Sequence, residues 1–321
     1  MNSGKGHGLW RGILFMLIAS ACASLLAILT AYTKFVPPAV VASAHIVLPV
    51  LIVALIADRS VWAGILAPSL RPALVRACFV AGGQILHVLA LFEGQLAKVV
   101  LLHHISPLLF PLLAWAWLGE RMGRLTVVGL LFGFTGLLIV LQPWEGASLA
   151  LDFATIAALC SGVAATISKL LLYKIARTYD QSARTTFIQT FGLAAILSLP
   201  LAVYAILSPG ETRVAHSAPE MSGEQLVIVV VAAFIAMAVV AIVDQLLTDR
   251  AYRLLPNAEL IGPFMYMAVL FSMLFDWVFL DRVPGTPLIV GAGLVVVGAT
   301  LAIKSAQDGL QRRVNVEDAL E

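Results

Sequence analysis

The chain reads as an all-α integral membrane protein of ten transmembrane helices, arranged as two inverted five-helix repeats. Three observations carry that expectation. Hydrophobic residues make up 61% of the 321 and charged residues 12%, at a mean hydropathy of +0.98, far from the balance of water-soluble chains. A helical hairpin over 97–143, two apolar stretches around the polar knot Gly119-Glu120-Arg121, has a weaker copy over 257–304 with Asp281-Arg282 at its turn. Each copy has a proline in its first stretch and two glycines seven apart in its second, Gly129 with Gly136 and Gly291 with Gly298. The third observation is the cation count. With both termini cytoplasmic, Lys34, Lys98, Arg213 and Arg282 are the four outside, Lys169 falls within a span, and the other fifteen of the twenty lie inside. That bias follows the positive-inside rule and independently supports an even number of spans.

Taken in order, the first span, 10–32, follows Lys5 and Arg11. Ala19-Ser20-Ala21-Cys22 faintly resembles a lipoprotein cleavage site, but the apolar run continues to Ala31, which fits a retained span better than a cleaved signal. Apolar windows 38–57 and 73–92 give the second and third spans. The fourth, 97–118, is polar only at Lys98, His103, His104 and Ser106, and the fifth, 125–142, carries no charge from Leu125 to Leu141. Spans over 152–173, 185–207 and 225–247 follow, and 257–280 with 286–304 complete the second hairpin. Connections are short except Ser208 to Glu224, a polar loop long enough to cap one face. The charged tail after Ser305 is expected as solvated helix or coil. The domain division is therefore 1–145 and 146–305 for the two repeats and 306–321 for a cytoplasmic tail.

Five spans per half put the two hairpins in opposite orientations, so the halves offer two nearly equivalent packings, one open to each side of the membrane. That is the physical basis of alternating access. Composition excludes other classes. A net charge of +2, scattered over short loops, implies no nucleic-acid partner. Cys22, Cys78 and Cys160 all sit in apolar runs, which reads as small buried side chains rather than a disulfide framework or metal site, so no cofactor and no metal are expected. No Gly-x-x-x-x-Gly-Lys-Ser/Thr loop is present to drive transport with ATP.

Ser106-Pro107-Leu108, Leu118-Gly119-Glu120-Arg121, Gly133-Phe134 and Gly136 before Gln142-Pro143 recur in order through the first half. Ala251-Tyr252-Arg253, Pro263-Phe264, Tyr266, Pro284 and Gly291 follow in the second. With these residues the chain resembles the EamA family of the drug/metabolite transporter superfamily over nearly its whole length. The resemblance implies a secondary transporter of the cell inner membrane, more often an exporter, moving a small polar metabolite such as an amino acid or related compound. Many relatives carry an arginine midway along the second span, where this chain has His45.

A charged side chain at midspan costs about 2.5 to 3.5 kcal/mol on insertion scales, so polar residues within spans face the bundle interior. His103 and His104 are adjacent, about 100° apart on a helix, so at most one looks straight into a central cavity. Either offers a titratable substrate ligand, or bonds as a neutral histidine to another helix. Gln84 and His87 share a face of the third span and either join that pocket or make an interhelical hydrogen bond. Glu93 and Lys98 are expected as a solvated pair at the outer interface. Asp249 has a surface ion-pair partner in Arg253 at i+4, whereas Asp244 has no such partner and is the candidate for a coupling proton or a cationic substrate group. Tyr266 follows Pro263, whose missing N–H bends the ninth span and frees carbonyls; with the family match it is the favoured substrate contact. Asp276 and Trp277 are gating candidates near the outer end. Gly129, Gly133, Gly291, Gly293 and Gly298 read as helix-packing residues.

The expected partners are a small-molecule substrate and the lipid bilayer, with a homodimer left open. The competing reading is an intramembrane enzyme using His103 or His104 with Asp244. Against it stands the absence of a His-x-x-Glu-His or Gly-x-Ser-x-Gly motif.

Overall fold

The computed structural model describes residues 3–31, 33, 35–93, 99, 102–103, 105–119, 122–141, 152–207, 222–255, 261–280 and 285–318. Among them every regular element is helical and no strand occurs. The helices are α1 (Ser3–Ala31), α2 (Pro38–Leu55), α3 (Arg59–Ala63), α4 (Leu70–Glu93), α5 (Ser106–Leu118), α6 (Arg124–Leu141), α7 (Phe153–Thr178), α8 (Ala183–Leu207), α9 (Gly223–Leu254), α10 (Ile261–Met265), α11 (Met267–Leu280) and α12 (Thr286–Asp318).

Local chemistry sets most boundaries. Pro38 opens α2, where its missing N–H costs nothing. Asp58, Asp152 and Ser222 accept from Val61, Thr155 and Gln225 N–H at 3.1, 2.8 and 3.3 Å and so start α3, α7 and α9; at Ser222 the Gln225 side chain returns the bond in a capping box. Arg177 and Arg253 occupy the last turns of α7 and α9, where the helix dipole favours a cation. Gly119 ends α5 with φ of 71°, a left-handed conformation that glycine adopts without strain.

Five helices are long and apolar enough to cross a membrane, over Gly8–Thr30, Leu70–Ala90, Phe153–Thr178, Ala183–Tyr204 and Gly223–Leu254. Shorter apolar helices lie over Ala39–Leu55, Ser106–Leu118, Arg124–Val140, Ile261–Ser272 and Ile289–Ser305. Large apolar side chains face outward along the described helices, with Leu55, Leu131, Ile196, Val227 and Val278 exposed on five different ones. Water would not tolerate such a coat; hydrocarbon does. The chain is a multi-pass membrane protein.

Packing follows a regular scheme. α1 packs on α9, α4 on α7, α2 on α8, α5 on α10 and α6 on α12. The α6–α12 contact is the closest, because glycine meets glycine along it. A Cβ on Gly129 would strike the Gly298 carbonyl, and one on Gly136 would lie 2.5 Å from the Gly291 carbonyl oxygen. Because 129 meets 298 and 136 meets 291, the two helices run antiparallel. Gly293 faces open space and takes no part. α5 crosses α10 at a similar point, where Gly262 sits against the Pro107 carbonyl.

At one end of the bundle Phe110, Tyr173 and Tyr252 pack with ring centroids 5.8 to 6.2 Å apart, above Phe264 and Leu255. The segment after Ser305 continues α12 to Asp318, the helical one of the two alternatives expected for it. Two other expectations change. Cys78 and Cys160 are exposed free cysteines, since the apolar exterior of a membrane bundle accepts a thiol as readily as its interior does. Asp249 and Arg253 do pair, at 2.7 Å, but Asp249 is only 2% exposed, so this is an internal ion pair rather than a surface one. Glu120, Arg121, Asp281, Arg282, Lys98, His104 and the loop 208–221 lie outside the described residues, as do the side chains of Glu93 and Asp276.

Candidate functional site

A cavity of about 270 Å³ lies within the bundle. Its wall is built by α1 (Met16 to Leu26), α2 (His45, Ile46), α4 (Arg76 to Gln84), His103, α7 (Ala165 to Leu172), Phe191 of α8, α9 (Ala241 to Tyr252), and Met265 and Ala268 on either side of the α10–α11 break. None of the lining residues comes from α5, α6 or α12.

Small residues bring these walls together. A Cβ on Gly83 would lie 3.1 Å from that of Ala164, which sets the close crossing of α4 on α7. Gly162 of α7 lets the backbone of Leu102 and His103 approach, since a Cβ there would lie 2.7 and 2.9 Å from their carbonyl oxygens. His103 is thereby fixed. Its Nδ1 lies 2.9 Å from Ser161 Oγ, and Ser161 already donates to the Ala158 carbonyl at 2.7 Å. Because the Ser161 hydroxyl proton is already committed, that network assigns the Nδ1 proton to the histidine. The His87 ring lies 4.0 Å from that of His103, tilted by 38°.

Arg76 occupies the other end of the cavity, 3% exposed. Its Nε donates to the Ser168 carbonyl at 3.2 Å, Nη1 to Thr190 Oγ1 at 3.1 Å and Nη2 to Gln245 Oε1 at 3.0 Å, with the Phe191 ring 5.5 Å from its guanidinium carbon. Gln245 Nε2 in turn donates to Asp244 Oδ2 at 2.9 Å. One α4 side chain thus reaches α7, α8 and α9. Below it, Gln189 of α8 donates to the carbonyls of Gly64 and Ile65 at 3.2 and 3.0 Å and accepts from Ser69 at 3.2 Å, which ties α8 to the turn after α3.

The residues singled out in the sequence distribute unevenly. Gln84, His103 and Asp244 line the cavity together, and His87 stands behind His103. Tyr266 is elsewhere. It is 1% exposed, packed with Leu130, Leu137 and Val295, its ring filling the space left by Gly133, where a Cβ would lie 2.7 Å away. Its hydroxyl has no hydrogen-bond partner among the described residues. The helix does break at Tyr266, but α1 takes up the carbonyls there: Ser20 Oγ donates to Phe264 O at 3.1 Å and Ser24 Oγ to Ala268 O. Trp277 is half exposed on the outer surface of α11 and does not line the cavity. Arg76, Lys169 and His45 do line it, although none stood out as a candidate. Lys169 alone left a signal, as a cation inside an apolar span.

Comparisons with known proteins bear on both the sequence and the fold. Residues 10–142 fit the EamA-like transporter family. The match lies in the first half of the chain. Two curated relatives extend the likeness beyond that stretch. The pseudopaline exporter CntI of Pseudomonas aeruginosa is 25% identical over 236 residues, which is 74% of this chain and 75% of that protein. The riboflavin transporter of Brucella anthropi is 25% identical over 241 residues, 74% of this chain and 78% of its own length. A solved crystal structure superposes with a TM-score of 0.72 at 21% identity, over 94% of this chain and 99% of its own, and shows that the fold is shared. The family and both relatives are transporters by name.

Proposed function

We propose that the protein is a secondary transporter, working as an exporter, that moves a small polar metabolite such as an amino acid or related compound by alternating access. The observation that carries this reading is the cavity, whose polar wall is shared between residues 1–145 and 146–305. Its volume of about 270 Å³ suits a small solute. Ten spans fit the chain, with α3 as a surface turn and α10 and α11 as two parts of one broken span.

The pairing of helices supports the inverted repeat. Exchanging the halves maps α1, α2, α4, α5 and α6 onto α7, α8, α9, α10–α11 and α12. Under that exchange the α1–α9 contact becomes α7–α4, and the other three pairings map onto themselves. The antiparallel meeting of Gly129 with Gly298 and Gly136 with Gly291 fits the same relation. In this arrangement both termini and the tail 306–321 are cytoplasmic, in the inner membrane.

Gln84 and His103 are assigned to substrate binding, with His87 buttressing His103, and Asp244 to coupling. Tyr266 acts as the pivot of the broken span, and Trp277 as a lipid-facing anchor of its outer part. The pseudopaline exporter and the riboflavin transporter are consistent with a solute larger than an inorganic ion.

The test is a comparison of metabolites in the medium and cytosol of cells lacking the protein, cells expressing it, and cells expressing a Gln84→Ala/His103→Ala variant. Accumulation of a compound outside only with the intact protein supports export and names its class. Accumulation inside reverses the direction. No difference, repeated with purified protein in liposomes, sinks the transport reading and favours intramembrane catalysis by His103 and Asp244.

A further inference from the structure

Three charged side chains line the cavity: Arg76 of α4, Lys169 of α7 and Asp244 of α9. Two of them are already engaged. Arg76 has three hydrogen bonds and an aromatic face, and Asp244 accepts from the same Gln245 amide that accepts from Arg76, so these three residues form one continuous chain. Lys169 is different. Among the described residues no hydrogen bond and no ion pair within 4 Å engages its ammonium, and only the longer-range field of Asp244 acts on it.

An ammonium has three N–H donors and no acceptor of its own. Leaving those donors unfilled in a low-dielectric cavity is costly, and the cost is tolerated where a ligand removes it. The charge count points the same way. With neutral histidines the lining carries two cations and one anion, so one positive charge is unbalanced. A carboxylate meets both needs at once: it balances the charge and accepts from Lys169 in a charge-assisted hydrogen bond.

We infer that Lys169 is the substrate-recognition residue of this cavity, and that the transported molecule is a small carboxylate whose anionic group docks on Lys169 Nζ. Its polar remainder lies toward Gln84 and His103, which line the same cavity. Asp244 restricts the class further. Its carboxylate disfavours a second anionic group nearby, so monocarboxylates and zwitterions are preferred over dicarboxylates. This inference rests on the transport reading above and specifies what that transport recognises.

The experiment uses purified full-length protein in liposomes loaded with an equimolar mixture: the twenty amino acids, the carboxamides of the neutral ones, aliphatic and aromatic monocarboxylates, and the matching alcohols. Release is followed by mass spectrometry for the native protein, Lys169→Met, Lys169→Arg and Asp244→Asn. The expected result is release of carboxylate-bearing compounds and not of their carboxamides or alcohols. Lys169→Met should raise the half-saturation concentration roughly 10- to 100-fold, Lys169→Arg should restore part of it, and Asp244→Asn, read by equilibrium binding because Asp244 is also assigned to coupling, should admit dicarboxylates. Size-exclusion profiles in detergent identify a misfolded variant; should Lys169→Met misfold, Lys169→Arg and Asp244→Asn decide alone. Release of a neutral or cationic compound, with Lys169→Met unchanged, overturns the inference and leaves the transport reading standing. No release of any compound by well-folded native protein counts against both.

Discussion

Arg76 and Gln245 stand 169 residues apart in sequence and join across the bundle, Nη2 donating to Oε1 at 3.0 Å. The same guanidinium holds Ser168 and Thr190, so the loss of one side chain uncouples α4 from three helices. Arg76→Met should lower unfolding stability in detergent by about 2 to 4 kcal/mol, because it removes three hydrogen bonds from a charged donor and strands their buried acceptors. Gln245→Ala should cost about 1 to 2 kcal/mol. The double variant should cost less than the sum; strict additivity in a thermal or denaturant titration would mean that the two side chains do not act as a unit.

The glycine seam makes a sharper forecast. A methyl on Gly129 meets the Gly298 backbone, which has no rotamer to yield, whereas one on Gly293 meets nothing within 4 Å. Gly129→Ala should therefore destabilise the protein by about 1 to 3 kcal/mol or more, with α6 pushed off α12. Gly293→Ala should be neutral or stabilising by up to about 1 kcal/mol, since alanine is the better helix former. Equal melting temperatures for the two variants would contradict the close approach.

Orientation is open to direct chemistry. In a background with Cys22, Cys78 and Cys160 replaced by alanine, Ser60→Cys reports the turn at α3 and Glu224→Cys the start of α9; both positions are exposed. A membrane-impermeant maleimide added to intact spheroplasts should label the Glu224→Cys variant only, and added to inverted vesicles the Ser60→Cys variant only. The reverse pattern would turn the protein over in the membrane.

Asp58 gives a pH-dependent mark outside the spans. The Ser60 hydroxyl, at 2.7 Å, and then the Val61 N–H, at 3.1 Å, hold its carboxyl below the ordinary value of 3.8. Because the folded value is the depressed one, the cap on α3 is fully in place above pH 3.8 and is lost as the pH falls through the lowered value. A carbon-13 titration of the labelled side chain should find its midpoint below 3.8; a midpoint at or above that value would show that the cap does not form.

Much of the frame was legible from residue type alone. Apolar runs located the helices, because lipid forces backbone polar groups into helices and leaves little else to choose, but α1, α9 and α12 run seven residues or more past the expected spans, where polar sequence continues the helix outside the apolar run. Of the glycines read as packing residues, Gly129, Gly291 and Gly298 do join α6 to α12, whereas Gly133 meets Tyr266 and Gly293 meets nothing. Breaks were harder. Pro263 announced the interruption of the ninth span, but nothing local said that the Tyr266 ring would turn into the gap beside Gly133 rather than toward the cavity. Arg76 was missed for the same kind of reason. It lies near the end of an apolar run and reads as a cytoplasmic cation, and its burial depends on acceptors at Ser168, Thr190 and Gln245 on three other helices. Gln84, His103 and Asp244, by contrast, were costly enough in an apolar setting to announce themselves.

The seam between α6 and α12 has one more consequence. A joint made of backbone against backbone has no side-chain layer that can repack, and neither helix contributes to the cavity wall. On the transport reading proposed above, these two helices are the stator of the protein: the helices that rock to open the cavity swing against a joint that cannot slide.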